Sequence, residues 1–427
     1  MKKVIIIVTL ALLLVALGYA TYFIYNNTSF FRVSDQINEV EENNQNILST
    51  EEISQGEMHQ VELDLLNLVA QELAVDDKYK TGVFADKKIL NLPKDFKINL
   101  FAGGLDAPRF MSFDDEGNLF VADKGAGIIY LLKDSNGDGV ADNKIVVDSG
   151  LKVIHSVYYY QSDLYAAEED KVLKFNSINA DGKYLNKEIL VDNLPTDGGH
   201  STRTVIVGPD KKLYISIGSS CNICEESDER RAAVVRYNLD GSGEEIFASG
   251  LRNSVGIQFY QNKLWGINNG RDLIGDNVPP EEVNIIEQGK NYGWPYCYGM
   301  GIVSPEYPDR DSYCLNETQN PAYEMQAHSA PLGLDFLPED NNFPENLKDN
   351  MFIGFHGSWN RTVPTGYKVV RLDVNNNDAQ TINFVTGWLQ PDASAWGRPV
   401  DVEFSNRGNM YISDDRAGAI YRVTYIK

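Results

Sequence analysis

One phrase of this 427-residue sequence occurs twice, once early in the chain and once at its C-terminal end. PRFMSFDDEGNLFVADKGAGIIY begins at Pro108, and PVDVEFSNRGNMYISDDRAGAIY begins at Pro399. The two copies align without a gap and share a phenylalanine, a Gly-Asn pair, an aspartate, an Ala-Gly pair and a final Ile-Tyr. Apolar and polar residues alternate around the Gly-Asn pair, which predicts two strands joined by a tight turn and a third strand after the next turn.

Weaker copies of this phrase lie between the two strong ones. They begin at Ser156, Thr204, Val255 and Leu332, which makes six phrases in all. A repeat of this length, built from short antiparallel strands, is typical of a β-propeller, so we predict an all-β domain with six blades. A β-sandwich is the alternative, but it does not explain why one phrase returns at both ends. That return predicts a closed ring in which the strand around FKINLFAG completes the last sheet.

The residues before the repeats divide into two segments. Residues 1–26 contain an uncharged run from Val4 to Tyr25 after two lysines, long enough to cross a bilayer of about 30 Å as a helix. We favour an uncleaved membrane anchor with the rest of the chain outside the cytoplasm; a cleaved signal peptide, giving a secreted or periplasmic protein, is the alternative. Residues 27–90 are polar, with helical spacing in MHQVELDLLNLVAQELAV, and predict a partly helical stalk; residues 91–427 form the predicted propeller.

Charge excludes one class of partner. The formal net charge is −23, from 38 Lys and Arg against 61 Asp and Glu. Binding to nucleic acid requires basic clusters that the sequence does not contain. The acidity is compatible with bound divalent cations or with a small neutral substrate.

The four cysteines form two local pairs, Cys221 with Cys224 and Cys297 with Cys314. An even number of locally paired cysteines in an exported chain predicts two disulfides. A zinc site at the CxxC motif is the alternative, but the usual second CxxC or histidine pair is missing.

The segment KDSNGDGVADNK has the spacing of a calcium-binding loop. Asp134, Asn136, Asp138 and Asp142 occupy positions 1, 3, 5 and 9, so that oxygen atoms on alternate residues can surround a hard cation. Position 12 is Ile145 instead of the usual glutamate, so a further ligand must come from elsewhere. The sequence predicts a structural calcium site here, and an ordinary turn between strands is the alternative.

Histidine and arginine residues lie at predicted strand ends in several repeats. His200 follows two glycines in TDGGHSTRTV, three residues before Arg203. Arg252 and Asn253 precede the next repeat, and Arg398 precedes the last. Strand ends of different blades converge on the channel of a propeller, so these arginines are expected to form one basic site suited to a small polyanion. Each arginine could instead form an ordinary surface salt bridge.

Several of these motifs resemble the soluble quinoprotein sugar dehydrogenase family, in its sorbosone- and pyranose-dehydrogenase-like branch. The resemblance extends from about Leu92 to Tyr425, and the motifs occur in family order. They are GGHSTRTVIVGPDKKLYISIG, GLRNSVGIQF, NNGRDLIGDNVPPEEVNIIEQGKNYGWP, HGSWNR and GRPVDVEF. The resemblance implies a six-bladed propeller that uses pyrroloquinoline quinone (PQQ) and calcium.

The resemblance also implies roles for individual residues. His200 matches the catalytic base, and the backbone carbonyls of Gly270 and Arg271, with the neighbouring Asp272, match the site of the cofactor's calcium ion. One arginine of a cofactor-binding pair matches Arg398, but the second falls on Val400, and no lysine matches the family's cofactor lysine. For cofactor binding the resemblance implies Arg252, Asn253 and Arg398. We assign Arg361 to one of the unmatched places, and Arg203, three residues after His200, completes the predicted set.

These observations favour a PQQ- and calcium-dependent dehydrogenase of an aldose or related polyol that passes electrons to an external acceptor. A calcium-dependent lactonase or hydrolase on a similar propeller is the first alternative, and it would need a cage of side-chain carboxylates without an arginine cluster. A non-enzymatic binding propeller is the second.

Overall fold

The computed structural model describes residues 66–178, 184–339 and 341–426. Over these residues six four-stranded antiparallel sheets are arranged as the blades of a propeller, which confirms the predicted fold class. The strands before the first blade are β1 (Leu68–Glu72), β2 (Ile89–Pro93) and β3 (Phe96–Ala102).

The first three blades each contain four consecutive strands. These are β4 (Pro108–Phe113), β5 (Leu119–Asp123), β6 (Ile128–Lys133) and β7 (Asn143–Ser149); β8 (Ser156–Tyr160), β9 (Asp163–Ala167), β10 (Val172–Ile178) and β11 (Tyr184–Val191); and β12 (Arg203–Val207), β13 (Lys212–Ile217), β14 (Ala233–Asn238) and β15 (Glu245–Ser249).

The fourth blade carries a long insertion before its outer strand. The insertion contains a two-stranded sheet, β19 (Cys297–Tyr298) with β20 (Ile302–Val303), and the short helix α1 (Asp311–Asn316). The strands of the fourth and fifth blades are β16 (Ser254–Tyr260), β17 (Lys263–Asn268), β18 (Glu281–Ile286) and β21 (Tyr323–Met325); and β22 (Pro331–Phe336), β23 (Asn350–Phe355), β24 (Lys368–Asp373) and β25 (Ile382–Val385).

The sixth blade closes the ring. It contains β26 (Pro399–Phe404), β27 (Met410–Asp414) and β28 (Ala419–Tyr425), and β3 pairs with β28 as its outer strand, as the repeat predicted. The pairing of β3 with β28 ties the start of the propeller to its last blade and so closes the ring.

The hydrophobic core lies between blades rather than in the middle of the ring. Each main cluster combines buried side chains of two adjacent blades, such as Phe120 of the first with Leu164 of the second. A smaller cluster of Phe110, Val255 and Leu332 with Val400 brings together residues from the innermost strands of four blades. Val400, where the family's second cofactor arginine was expected, is fully buried in this cluster.

The end of the predicted stalk, from residue 67 to residue 90, is structured but contains no α-helix. β1 pairs with β2, and Leu90 and Leu92 of β2 are fully buried against the fifth and sixth blades. The prediction of a helix is therefore wrong for Leu68–Glu72, because pairing with a buried neighbouring strand outweighs weak local helical spacing. Residues 77–79 and 82–84 form single 3-10 turns between the two strands.

No helix of the described residues is long and apolar enough to cross a membrane. The predicted anchor or signal at residues 1–26, and the stalk up to residue 65, lie outside the described residues.

Both predicted disulfides are present. Cys221 is bonded to Cys224 and Cys297 to Cys314, so all four cysteines are paired and the CxxC motif does not form a zinc site.

Candidate active site

The innermost strand of each blade begins at the same end of the ring. The residues at or just before these strand starts are therefore neighbours around the channel, although they are far apart in sequence. In ring order these residues are Arg109, His155, Arg203, Asn253, Ala330 and Arg398.

A cavity of about 400 Å³, measured with its open mouth, lies at this end on the side of the third, fourth and fifth blades. Six of its lining residues carry amide, imidazole or carboxylate groups in addition to the arginine and histidine that the sequence predicted. The lining consists of His200, Arg252, Asn253, Asn269, Gly270, Asp272, Glu281, His328, Ala330, Trp359 and Asn360.

His200 presents one free ring nitrogen to this cavity. Its Nδ1 lies 2.9 Å from the carbonyl oxygen of Ser219, which can only accept, so Nδ1 carries the proton and donates it. Nε2 is then an unprotonated acceptor, and no hydrogen bond of the described residues involves it. Burial, followed by the positive charge of Arg252, lowers the pKa of His200 to about 4, so the imidazole is neutral at pH 7.

The glycines near His200 allow its loop to approach the third blade closely. At Gly218 an added Cβ would lie 2.4 Å from Oδ1 of Asn253 and 2.7 Å from Cβ of His200, so a side chain there would separate these two residues. At Gly198 an added Cβ would lie 2.8 Å from Cα of Ser220. Gly198 before His200 and Gly218 after β13 therefore both allow the close packing around His200.

Arg252 is held by oxygen atoms on every side. Its Nη1 donates to the carbonyl oxygen of Gly270 at 2.7 Å, and its Nη2 donates to the carboxylate of Asp272 at 3.2 Å. Nε and Nη2 also donate to the backbone oxygen and the side-chain oxygen of Asn222, at 3.0 and 2.9 Å. Burial lowers the pKa of Arg252, but its neighbouring carboxylates favour the charged form.

The predicted calcium-holding residues lie beside this guanidinium. The carboxylate of Asp272 lines the cavity and also accepts from Asn360 at 2.7 Å. Gly270 lines the cavity too, whereas the Arg271 side chain is buried and forms an ion pair with Glu306. Only the backbone of Arg271 remains available for the predicted role.

Glu281 is a cavity residue that the motifs did not single out. Its two carboxylate oxygens accept from the backbone amides of Gly270 at 2.7 Å and Ala330 at 3.1 Å. Burial raises the pKa of Glu281 to about 8, so this carboxyl is largely protonated at neutral pH. It fixes the backbone of the Gly270 loop in the position that the cavity requires.

A basic cluster lies on the opposite side of the channel, at the junction of the first and sixth blades. Arg109 Nη1 donates to Asp415 at 2.6 Å, and Nε2 of His356 lies 2.9 Å from the same carboxylate. Arg398 Nε donates to the carbonyl oxygen of His356 at 3.0 Å. The pKa of the partly buried Lys124 is lowered, first by burial and then by the charge of Arg109.

The loop after β23 links the two sides of the channel. It begins at His356 in the basic cluster and reaches the cavity at Trp359, which is 71% exposed, and Asn360. Arg109 and Lys124 were not identified from the sequence. Their signal was the first copy of the repeat, in which Arg109 stands at the position of Val400 and Lys124 at that of Asp415.

Two arginines predicted to bind the cofactor have other roles in the structure. Arg203 is fully buried, and its guanidinium donates to the carbonyl oxygens of Pro195, His200 and Thr202, so it holds the His200 loop and does not face the cavity. Arg361 donates to the carbonyl oxygen of Ala327 at 3.1 Å and to Asn277 at 3.1 Å, and it does not line the cavity. It ties two loops together at the mouth.

The other described histidines have no free nitrogen in the cavity. Nε2 of His328 lies 2.8 Å from the carbonyl oxygen of Gly275, and its Nδ1 lies 3.4 Å from the amide nitrogen of Asn360. His356 is bound to Asp415, and His155 is fully buried. Among the histidines that the structure describes, His200 is therefore the best-placed base.

The four predicted residues of the calcium-binding loop lie between β6 and β7. Asp134 accepts from the amides of Gly137 and Gly139, each at 2.9 Å. The side-chain amide of Asn136 donates to Asp142 at 2.9 Å and to Asp138 at 3.1 Å. The four side chains thus converge in one loop, and calcium binding there stays a prediction.

Known relatives of the chain were found by sequence. It is 33% identical to an uncharacterized protein of Borreliella burgdorferi, over 79% of this chain and 91% of the relative. It is 25% identical to a pyrroloquinoline quinone-dependent pyranose dehydrogenase of Coprinopsis cinerea, over 78% of this chain but only 54% of that enzyme. A pyrroloquinoline quinone-dependent sugar dehydrogenase of Hypocrea jecorina is 24% identical, over 76% of this chain and 87% of that protein.

Solved structures agree on the fold. The holo form of the PQQ domain of the Coprinopsis cinerea pyranose dehydrogenase has a TM-score of 0.70 at 22% identity, covering 82% of this chain and all of that domain. The calcium structure of a family AA12 protein from Trichoderma reesei has a TM-score of 0.67 at 23% identity, covering 78% of this chain and 96% of that one. The predicted resemblance to PQQ-dependent sugar dehydrogenases is confirmed, and the family model described as TrAA12-like matches residues 90–426. The chain belongs to the TrAA12-like family.

Proposed function

We propose that this protein oxidises an aldose or a related polyol with PQQ and calcium, and that His200 is the general base. The observation that carries the proposal is the free, unprotonated Nε2 of His200 in a cavity that also contains Arg252 and Asp272. The PQQ-dependent relatives support the choice of cofactor.

The residues present fit a flat, tricarboxylate cofactor with a metal ion. Gly218 lets His200 and Asn253 lie side by side, since an added Cβ there would clash with both residues. The carbonyl oxygen of Gly270 and the carboxylate of Asp272 are hard oxygen ligands of the kind that calcium prefers. Across the channel, Arg398, Arg109 and Lys124 would supply positive charge for the carboxylates, in place of the arginine missing at position 400.

The protein's own residues contribute a proton transfer and the electrostatic stabilisation of the charge that develops. When bound with calcium, PQQ supplies the two-electron acceptor that takes the hydride equivalent from the sugar carbon. Nε2 of His200 takes the proton of the same carbon's hydroxyl group, while Ser219 holds the ring through Nδ1. Arg252 places a fixed positive charge where negative charge develops on the acceptor. An external electron acceptor is then needed to complete the turnover.

The lactonase alternative fits the cavity less well. A calcium cage of side chains needs several carboxylates, and among the residues that line the cavity only Asp272 and Glu281 carry one. Both carboxylate oxygens of Glu281 accept from backbone amides. The guanidinium of Arg252 also repels a metal ion held by side chains alone.

The test is reconstitution of chelator-treated protein, followed by dye-linked sugar oxidation and absorbance titration with PQQ. Turnover should return only when PQQ and calcium are both added. His200→Ala should bind PQQ with near-normal affinity while kcat falls about 10²- to 10⁴-fold, the usual contribution of a positioned base. Arg252→Ala should weaken PQQ binding as well, and Ser201→Ala in the same loop serves as the control.

The pH dependence of kcat/KM also tests whether His200 is the general base. Because the pKa of His200 is lowered to about 4, kcat/KM should stay level from pH 7 to about pH 5 and fall only below that range. An acid limb near pH 6.5, or near-normal kcat in His200→Ala, would show that another group is the base. Lactone hydrolysis by calcium-loaded protein without PQQ would favour the alternative.

A further inference from the structure

The disulfide-closed loop Cys221–Cys224 forms hydrogen bonds to Arg252 and to Asp272 of the candidate site. None of the loop's own residues lines the cavity. On the basis of the proposed function, we propose that Asn222 in this loop is a positioning residue that fixes Arg252 and Asp272 for catalysis.

Asn222 uses its backbone and its side chain to join two parts of the site. Its carbonyl oxygen accepts from Nε of Arg252 at 3.0 Å, and its Oδ1 accepts from Nη2 at 2.9 Å. The same Oδ1 accepts from the backbone amide of Asp272 at 2.8 Å, and Nδ2 donates to the carbonyl oxygen of Asp272 at 3.1 Å. The side chain of Asn222 therefore fixes the position of Arg252 relative to Asp272.

The loop also reaches the proposed base. Ser219, whose carbonyl oxygen holds Nδ1 of His200, donates its hydroxyl to the carbonyl oxygen of Cys221 at 2.7 Å. The backbone amide of Ser219 donates to the carbonyl oxygen of Arg252 at 2.8 Å. The base and the guanidinium are thus tied to the same short stretch of chain.

The disulfide explains why so short and only partly buried a loop can hold a buried guanidinium. It closes the loop within four residues, with the Cα atoms of Cys221 and Cys224 6.2 Å apart. Next to it, the backbone amide and the hydroxyl of Ser220 both donate to the carboxylate of Glu226, at 2.6 and 2.7 Å. A loop restrained at both ends loses little further freedom when Asn222 binds Arg252.

The guanidinium of Arg252 is only 4% exposed, so it depends on protein acceptors for its orientation. Asn222 supplies two of them on the side away from the cavity, while Gly270 and Asp272 supply the others near it. Removal of the Asn222 side chain should let the guanidinium turn away from the reacting groups without unfolding the blade.

The first test is a double-mutant cycle with reconstituted full-length protein. Asn222→Ala should lower kcat about 10- to 100-fold with a small change in KM, as is usual for an outer residue that orients a site group. In the Arg252→Ala background the same substitution should lower kcat clearly less, because only the action of Asn222 through Asp272 remains. Asn222→Asp keeps both acceptor positions and should recover most of the rate.

The second test does not use activity. Hydrogen–deuterium exchange of the protein without cofactor should show faster exchange at the amide of Asp272 in Asn222→Ala, since that amide loses its acceptor. Asn238→Ala is the matched control, because Asn238 caps a turn at the opposite end of the third blade. It should change neither exchange at Asp272 nor kcat.

The outcomes separate the two proposals. Wild-type protein that shows no turnover with PQQ and calcium would overturn the proposed function, and this role of Asn222 with it. Wild-type turnover with equal losses from Asn222→Ala in both backgrounds, or unchanged exchange at Asp272, would overturn the role of Asn222 alone. If Asn222→Ala does not fold, Asn222→Asp is placed in the same cycle, and its loss must be smaller in Arg252→Ala than in the wild type.

Discussion

The first and the sixth blades contain the two strong copies of the repeated phrase. Their strands pair in the same way, and the copies differ in the residues that reach the channel. In both, the inner strand pairs with the next in the same register: Phe113 with Leu119 in one, Phe404 with Met410 in the other. Both inner strands also carry a register shift directly after their first proline. Shared sequence has therefore given shared backbone.

The aspartate that ends the second strand has the same task in both copies. Asp123 accepts from the backbone amide of Ala107 at 2.8 Å, and Asp414 accepts from that of Arg398, also at 2.8 Å. Both carboxylates are fully buried and join the start of one inner strand to the end of its neighbour.

The copies differ at the positions that reach the channel. Arg109 corresponds to Val400, Lys124 to Asp415, and Ala107 to Arg398. Since the two blades are adjacent in the closed ring, Arg109 of one copy pairs with Asp415 of the other. The residues that the copies share define the blade, whereas those in which they differ carry the charges of the site.

Arg109→Val gives the first copy the residue that the last copy has at position 400. Of the proposed variants, it should lower stability the most. It removes one partner of an ion pair whose side chains are 8% and 18% exposed and leaves Asp415 with His356 alone, which should cost about 3 kcal/mol in the free energy of unfolding. PQQ affinity should fall as well, since a cation is lost. Denaturant unfolding and PQQ titration measure the two effects.

The control for this variant is Met111→Val, which also makes the first copy match the last, at a buried scaffold position. It should cost only about 1 kcal/mol and leave PQQ binding unchanged. Despite burial, the hydrogen bond from His356 and, after it, the charge of Arg109 hold the pKa of Asp415 well below its usual range. The loss in Arg109→Val should therefore be full at neutral pH and shrink as the pH falls below about 4, where the unfolded chain's carboxylate is protonated.

Replacing the shared aspartates should give smaller and similar effects. Asp123→Ala and Asp414→Ala each leave buried backbone amides without an acceptor, at a cost of about 1–3 kcal/mol. Asp414→Ala should cost more, because Asp414 also accepts from the hydroxyl of Tyr421 at 2.9 Å. Thermal unfolding of both variants measures this. A large loss for one and none for the other would show that the two copies are not equivalent scaffolds.

The sequence predicted the fold because a repeat is a global signal. Six phrases indicated six blades, and the strong return of one phrase indicated the closing strand β3. The helix expected at Leu68–Glu72 was wrong because that segment pairs with β2, a partner that local spacing does not reveal.

The motifs located four residues that line the cavity, His200, Arg252, Asn253 and Asp272, whose roles stay predictions. Glu281, which begins β18, was missed. Arg203 and Arg361 do not line the cavity, because a motif gives the position of an arginine but not the direction of its side chain. Burial and nearby carbonyl groups decide that direction.

The smallest expected effect concerns the loop between β6 and β7 of the first blade, whose counterpart is absent from the sixth blade because β3 supplies the outer strand there. This loop packs on the sixth blade: Asn99 donates to the carbonyl oxygen of Gly139 at 2.7 Å, and an added Cβ at Gly139 would meet Arg422. Calcium bound there would stabilise the closed ring, by about 1.4 kcal/mol at a free concentration about ten times Kd. Asp138→Ala should abolish that calcium-dependent rise in Tm and leave KM unchanged, because the loop lies outside the cavity. Glu116→Ala, in an exposed turn of the same blade, should keep the rise. Lost turnover at unchanged Tm in Asp138→Ala would instead place this metal in the catalytic site.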